Sequence, residues 1–254
     1  MNKEIQMAVN RYVGNMARKR NLRDSLRWLR DSRKLLDVVI AVLVFGSIWG
    51  LLEATLGGFL HLIHFTHKGA IMGGVGMAIM AAFVVTRRHP GLLIGVGCTA
   101  ALFKLLSPVV YGQPLLAPFV VNPAVAIILE SLAFSLVVSL LYSRFERNVR
   151  MRVAAGIAAG YLSITFYAIF ASVAGRGYWP LLSFTEKVKE VFVNGTGIAI
   201  VGTILLLVGY ALAVHLRPKF VDFKSMKPKT FYAGAGATAI CCWVFALIAF
   251  DAGL

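Results

Sequence analysis

The stretch that decides the fold is LDVVIAVLVFGSIWGLLEATLGGFL, which runs from Leu36 to Leu60. A helix needs about 20 apolar residues to cross the hydrocarbon of a bilayer, and this stretch is long enough. Six further apolar runs follow it, separated by charged or proline-containing breaks. They run from Gly69 to Thr86, Gly91 to Ser107, Asn122 to Tyr142, Val153 to Ala174, Val191 to His215 and Phe231 to Phe250. The pattern predicts an all-α, polytopic bundle of about seven transmembrane helices.

The composition excludes a soluble protein. Of 254 residues, 59% are hydrophobic and only 15% are charged, which leaves too few polar residues to cover a soluble exterior. The net charge of +15 would suggest nucleic-acid binding in a soluble chain. Here the basic residues mark topology instead, so we expect no nucleic-acid partner. Cys98, Cys241 and Cys242 lie inside apolar runs and match no disulfide or zinc pattern.

Lysine and arginine concentrate in alternate breaks between the apolar runs. Ten precede the first run, two are Arg87 and Arg88, four lie between Arg144 and Arg152, and five lie between Arg217 and Lys229. These 21 residues share one side, and four share the other. Because basic loops stay in the cytoplasm, we expect the N-terminus inside and the C-terminus outside. The protein is then a multi-pass protein of a bacterial or archaeal cell membrane.

The first 35 residues differ in character from the rest of the chain. They space Leu22, Leu26 and Leu29 among arginines, as a basic amphipathic helix would. We expect a cytoplasmic segment lying on anionic lipid headgroups, with docking onto an acidic partner as the alternative. Residues 36–254 form the transmembrane domain. Within that domain, the uncharged linker from Pro108 to Val121 carries three prolines and is expected to fold back over the outer mouth.

Small residues recur every four positions on the first predicted span. They are Gly46, Gly50, Ala54 and Gly58. Such a face lets another helix approach closely, and that helix belongs either to the bundle or to a partner protein. We take the face as a candidate partner interface.

Three ionisable residues lie well inside the predicted spans, namely Glu53, Lys104 and Glu130. At about 1.5 Å per residue, their positions along the three spans place them all in the outer half of the bilayer. A charge at that depth is costly and needs a partner inside the bundle. One interpretation is a buried ion pair with the second glutamate neutral or hydrogen-bonded. The other is an outward-facing pocket in which these residues bind a small polar ligand or relay a proton, with His61 at its rim.

Three histidines follow the first span at a spacing of three, and they are His61, His64 and His67. On a continuing helix they would share one face and could bind zinc, nickel or cobalt. The alternative is ordinary histidine at a membrane interface. A transmembrane haem held by two histidines is disfavoured because His89 and His215 belong to the opposite membrane face, which leaves only a haem with one histidine ligand. No resident cofactor is therefore predicted.

The sequence carries no motif of an intramembrane or nucleotide-dependent enzyme. It contains no Walker A sequence, no Gly-Xaa-Ser-Xaa-Gly and no His-Glu-Xaa-Xaa-His. We therefore expect no enzymatic activity.

The stretch from Glu53 to Leu141 resembles the substrate-binding S components of energy-coupling factor transporters and S-component-like membrane proteins. The pieces that carry the resemblance are EATLGGFLHLIHFTHKGAIMGG from Glu53 to Gly74, GLLIGVGCTAALFKLLSP from Gly91 to Pro108, and NPAVAIILESL from Asn122 to Leu132. The resemblance implies a six-helix core, here with one added helix. It also implies uptake of a vitamin or other small polar metabolite, energised by a coupling transmembrane subunit and cytoplasmic ATPases on separate chains.

The resemblance assigns Gly46, Gly50 and Ala54 to contact with the coupling subunit. It favours an organic solute over a metal ion, because the metal-specific branch carries a histidine near its processed N-terminus and this chain lacks one. The competing function is a non-catalytic integral subunit of a larger membrane complex, redox-linked or haem-containing. The first function predicts a ligand cavity at the level of the three charges, and the second a filled bundle.

Overall fold

A computed structural model describes residues 32–254, with side chains from residue 35 onward. The predicted basic segment therefore lies outside the described residues, apart from its last four. The chain divides into two units, Met1–Ile40 and Ala41–Leu254. The described part of the first unit is the start of the first helix, and the second unit holds all the other elements.

Residues 32–254 are almost entirely helical and contain no β-strand. In chain order the helices are α1 (Ser32–Leu62), α2 (Lys68–Arg87), α3 (Leu93–Lys104), α4 (Leu106–Tyr111), α5 (Pro118–Arg147), α6 (Val149–Val173), α7 (Phe184–Met226) and α8 (Pro228–Asp251). Short 3-10 turns at Pro90–Leu92 and Trp179–Leu181 precede α3 and α7.

Seven helical segments of this described part are long and apolar enough to cross a membrane, with α3 and α4 together forming one of them. This confirms the predicted all-α bundle and its number of spans. A bilayer offers the backbone no hydrogen-bond partners, so each span satisfies its own N–H and C=O groups as a helix. The side on which each terminus lies stays a prediction.

Helix α7 is longer at both ends than the apolar run from Val191 to His215 from which it was predicted. At its start the side chain of Ser183 accepts a hydrogen bond from the backbone N–H of Glu186, and the Glu186 carboxylate accepts one from the backbone N–H of Ser183. This capping box begins the helix outside the apolar run. At the other end, Pro218 lies inside the helix without ending it. The helix therefore continues into the basic region that separates it from α8.

The third span is broken at Leu105. Helix α3 ends at Lys104 and α4 begins at Leu106, as Pro108 requires, because proline lacks an N–H and its ring clashes with the carbonyl four residues earlier. The freed carbonyl of Lys104 accepts a hydrogen bond from Oγ of Ser107 at 2.9 Å. The break leaves Lys104 at the carboxyl end of a helix, where a positive charge is favourable.

The linker predicted from Pro108 to Val121 is mostly helical, and its position over the outer mouth stays a prediction. Only residues 112–117 lie outside helices, because Pro108 is part of α4 and Pro118 starts α5. Proline at the first helical position loses no hydrogen bond, so it favours a helix start there. The hydroxyl of Tyr111 donates to the carbonyl of Phe250 at 2.7 Å, which ties α4 to the end of α8.

The core lies between α1, α2, α3, α5 and α7 in the second unit. Its largest fully buried side chains include Trp49, Phe83, Phe103, Phe134 and Phe145. Glycines bring the helix backbones together around them: a Cβ at Gly156 would meet Thr203, and one at Gly160 would meet Ala199, both on α7. These two glycines therefore let α6 pack closely against α7.

Candidate polar site inside the bundle

Glu53 on α1 and Lys104 on α3 form an ion pair inside the bundle. Nζ of Lys104 lies 3.5 Å from Oε2 of Glu53, and the two side chains are 16% and 10% exposed, respectively. The same Nζ donates a hydrogen bond to the backbone carbonyl of Glu53 at 3.0 Å. Two of the three donors of the ammonium group are thus directed at one residue. A carboxylate buried inside a membrane protein is costly unless it is paired, and Lys104 is the partner of Glu53.

Glu130 on α5 lies against α2, close to this pair. A Cβ built on Gly76 would lie 2.6 Å from Oε1 of Glu130, and one built on Gly73 would lie 3.6 Å from Oε2. The carboxyl group therefore occupies a notch in α2 that exists because both residues are glycine. We call Gly73 and Gly76 the glycine notch, and we call Glu53, Lys104 and Glu130 the polar cluster.

Oε1 of Glu130 is buried and has no hydrogen-bond partner among residues 32–254. Its neighbour across the glycine notch is Trp49, whose ring also lies within 3 Å of the Cβ position of Gly76. Nε1 of Trp49 is likewise buried and without a hydrogen-bond partner in the described part of the chain. The notch therefore gathers one polar acceptor and one polar donor, both without the hydrogen bonds that buried polar groups normally make.

The charges in the polar cluster do not balance. Lys104 bonds Glu53, and the carboxylate of Glu53 acts electrostatically on Glu130 as a like charge. One ammonium group can neutralise only one of two carboxylates. Glu130 is the uncompensated acid, and burial makes an uncompensated charge costly.

The sequence alone does not identify the glycine notch or Trp49 as part of the site. Their signals were present, because Trp49 precedes Glu53 by one helical turn and Gly73 precedes Gly76 by three residues, which places each pair on a common helix face. The sequence did not reveal that these two faces meet Glu130, because that depends on the rotation of three helices about their axes.

His61 does not touch the polar cluster. It lies eight residues beyond Glu53, about 12 Å along the helix, and it is exposed. Its Nδ1 makes a hydrogen bond with Nζ of Lys68 at 2.7 Å. Its place at the rim of a ligand pocket stays a prediction.

The three histidines do not lie on one helix. Helix α1 ends at Leu62, His64 adopts a left-handed backbone with φ of 53°, and His67 flanks the start of α2. The spacing of three therefore no longer places the rings on a common face. Among residues 32–254, no group of three metal-ligating side chains is assembled. Metal binding by His61, His64 and His67 stays a prediction that this backbone does not favour.

The small-residue face of α1 packs against other helices of the same chain. The contacts are Gly46 with Thr99, Gly50 with the ring of Phe103, and Gly58 with Leu254. Ala54 is 1% exposed and belongs to an apolar cluster with residues of α3 and α8. The close helix approach that this face predicts is thus made inside the bundle. A partner helix could bind the face only by displacing α3 and α8.

An apolar recess of about 280 Å³ lies between α5 and α6. It is lined by Leu129, Leu132, Phe166, Ile169 and Phe170. None of these side chains could bind a polar solute, although two of them come from the same part of α5 as Glu130. This recess is therefore not the predicted polar pocket, which stays a prediction.

Comparison of the chain with protein-family models, with curated proteins and with solved structures finds no match. The function must therefore be argued from the polar cluster itself.

Proposed function

We propose that this protein is a membrane-embedded component of a solute uptake system and that it binds a small polar metabolite or vitamin at the polar cluster. The observation that carries the proposal is the uncompensated carboxyl group of Glu130 beside the Glu53–Lys104 pair. Ionisable residues inside a membrane are costly, and they mark substrate or ion pathways more often than structural contacts.

The chemistry of the polar cluster favours a solute with a cationic or hydrogen-bond-donating group. Lys104 directs two of its three donors at Glu53, and Oε1 of Glu130 is left without a hydrogen-bond donor among the described residues. A solute ammonium or amide would supply the missing donor. An anionic solute would instead meet a net negative site.

The break in the third span also supports a binding role. Discontinuous helices surround the solute sites of many transporters, because a helix end inside the membrane presents polar groups that an unbroken helix conceals. In this chain the break follows Lys104 directly, so the charged residue and the helix end coincide.

The resemblance to S components supplies the remaining part of the proposal. It implies that a coupling transmembrane subunit and cytoplasmic ATPases, on separate chains, drive uptake from outside the cell. Because the glycine face of α1 is filled by α3 and α8, we place the coupling subunit elsewhere on the bundle. Exposed apolar side chains along α7 and α8 offer surface for it.

The proposal is tested by identifying what the protein carries. The full chain is purified in mild detergent, and bound small molecules are released with denaturing solvent and identified by mass spectrometry. We expect one metabolite at a near-stoichiometric amount in the wild type and its loss in Glu130→Gln. The matched control is Glu186→Gln, which changes an exposed carboxylate outside the polar cluster and keeps the capping box.

Thermal unfolding of the same samples shows whether each variant is folded. A folded Glu130→Gln protein that retains the metabolite would contradict the binding role of Glu130. A wild-type protein that carries no small molecule and co-purifies with a haem or with subunits of a redox complex would instead favour the non-catalytic subunit.

A further inference from the structure

The Glu130 carboxyl group needs a positive species that the described residues do not supply. Oε1 is buried and unpartnered, and the polar cluster holds two acids for one base. Among the described residues, the side chains nearest to the glycine notch besides Glu130 are Trp49 on α1 and Ile198 on α7, and neither carries a charge. The adjacent part of α5 lines an apolar recess together with Phe166, Ile169 and Phe170 of α6.

A metal cation does not fit this place. Hard cations take on the order of six oxygen ligands, which a protein supplies from several carboxylate, carbonyl or hydroxyl groups. Apart from Glu130 itself, the side chains nearest to the glycine notch are Trp49 and Ile198, and neither carries an oxygen. A proton needs no shell of ligands, and it removes the charge that burial penalises.

We propose that Glu130 is a proton-binding site, in which the carboxyl group takes up a proton inside the bundle and releases it when the cationic group of a solute arrives. With the proton bound, the polar cluster is neutral. Without it, the cluster carries one negative charge. Exchange of this proton for a cationic group of a solute rests on the proposed function, whereas proton binding itself does not and can be tested without a solute.

The reagent for this test is dicyclohexylcarbodiimide, an apolar molecule that enters membranes. It reacts with a protonated carboxyl group: the acid proton moves to one carbodiimide nitrogen, and a carboxylate oxygen bonds to the central carbon. The acyl group then migrates from that oxygen to a nitrogen, which gives a stable N-acylurea. Nothing leaves, so the adduct adds the whole mass of the reagent. Shielding from water favours this migration, and Oε1 of Glu130 is buried.

The experiment uses the purified full chain in lipid vesicles, with no added solute, at a series of pH values from 6 to 9. Intact-mass spectrometry measures the labelled fraction, and peptide mapping locates the adduct. We expect one adduct, on Glu130, whose yield falls as the pH rises because deprotonation removes the reactive form. The adduct is lost in Glu130→Gln and retained in Glu186→Gln, the exposed-carboxylate control.

Sodium and lithium ions are then added at constant pH to separate a proton site from a metal site. Unchanged labelling supports the proton site, and protection by either ion overturns it. Labelling on Glu53 in place of Glu130, or no adduct at any pH, overturns it as well. The wild-type pH series needs no variant, so the test stands even where a variant folds poorly. The carbonyl stretch of a protonated carboxyl group, present in the infrared spectrum of the wild type and absent from that of Glu130→Gln, gives an independent measurement.

The result also stays separate from that of the solute experiment. Labelling of Glu130 in a protein that carries no metabolite would support the proton site and contradict the proposed solute binding. A bound metabolite in a protein that is not labelled in vesicles would support solute binding and contradict the proton site.

Discussion

Gly76→Ala tests the contact on which the interpretation of Glu130 depends. A Cβ at this position would lie 2.5 Å from Cζ2 of Trp49 and 2.6 Å from Oε1 of Glu130. The carboxyl group can rotate away, but the ring of Trp49 is fully buried and has no space to move into. Overpacking of this kind costs about 1–3 kcal/mol. Alanine is better than glycine in a helix by about 1 kcal/mol, so the expected net loss of stability is about 0–2 kcal/mol.

The matched control is Gly236→Ala on α8, where a Cβ would meet nothing within 4 Å. This variant keeps the helix-propensity gain and lacks the clash, so the two variants should differ by the overpacking cost, about 1–3 kcal/mol. Thermal unfolding in detergent, followed by circular dichroism, measures the difference. In a chain of this length it corresponds to a gap in Tm of at least roughly 2 °C. The reasoning is refuted if Gly76→Ala unfolds at the same temperature as Gly236→Ala or above it.

A second substitution identifies the side chain that the added methyl group meets. Trp49→Phe removes the part of the ring nearest to Gly76, so the cost of Gly76→Ala should be smaller in that background than in the wild type. Additive effects would show that the methyl group meets something else.

Three further predictions concern topology, the ion pair and pH. In a background without the native cysteines, an impermeant thiol reagent applied to intact cells should label Arg176→Cys and not Arg147→Cys, and the reverse pattern would contradict the inward N-terminus. Lys104→Met should lower the free energy of unfolding by about 3 kcal/mol because it leaves Glu53 buried without its partner. Adding Glu53→Gln should recover part of that loss. Equal stability of Lys104→Met and the wild type would show that the pair contributes nothing. Burial lowers the pKa of the His89 imidazole, so protonation opposes the folded state, and stability should fall as the pH drops below about 6.5. His89→Gln should remove that dependence on pH, and an unchanged fall in Tm would assign it to another group.

The number of spans could be predicted because the bilayer imposes one solution on every long apolar run. The ends of the helices follow a different rule, since they are set by capping groups and prolines. The capping box at Ser183 and the break before Pro108 were both readable in the sequence. Apolar run length alone placed the start of α7 at Val191 and left the third span unbroken. Local turn chemistry was the more informative signal at both positions.

For the polar site, the depth of each side chain in the membrane could be predicted from the sequence, but the direction in which each side chain points could not. Residue counts along each span placed Glu53, Lys104 and Glu130 at one level, because every helix rises by the same distance per residue. The rotation of each helix decides which of the two acids meets the base, and packing between side chains sets that rotation. The common face of His61, His64 and His67 depended in the same way on a helix that continued past Leu62, where α1 ends, and metal binding by these residues stays a prediction.

Helix α2 explains why the base meets Glu53 and not Glu130. Its glycines face two neighbours: a Cβ at Gly74 would meet Leu205 on α7, whereas the glycine notch faces Glu130 on α5. The close contact with α7 fixes the position of α2 in the bundle, and the notch then fixes the carboxyl group of Glu130 beside Trp49. Held there, the second acid has no donor from Lys104, which is bonded twice to Glu53. Substitutions on the α7 side of α2, such as Gly74→Ala, should therefore change the labelling of Glu130 by carbodiimide although they touch no charged residue. Unchanged labelling in a folded Gly74→Ala protein would show that the position of Glu130 does not depend on how α2 packs against α7.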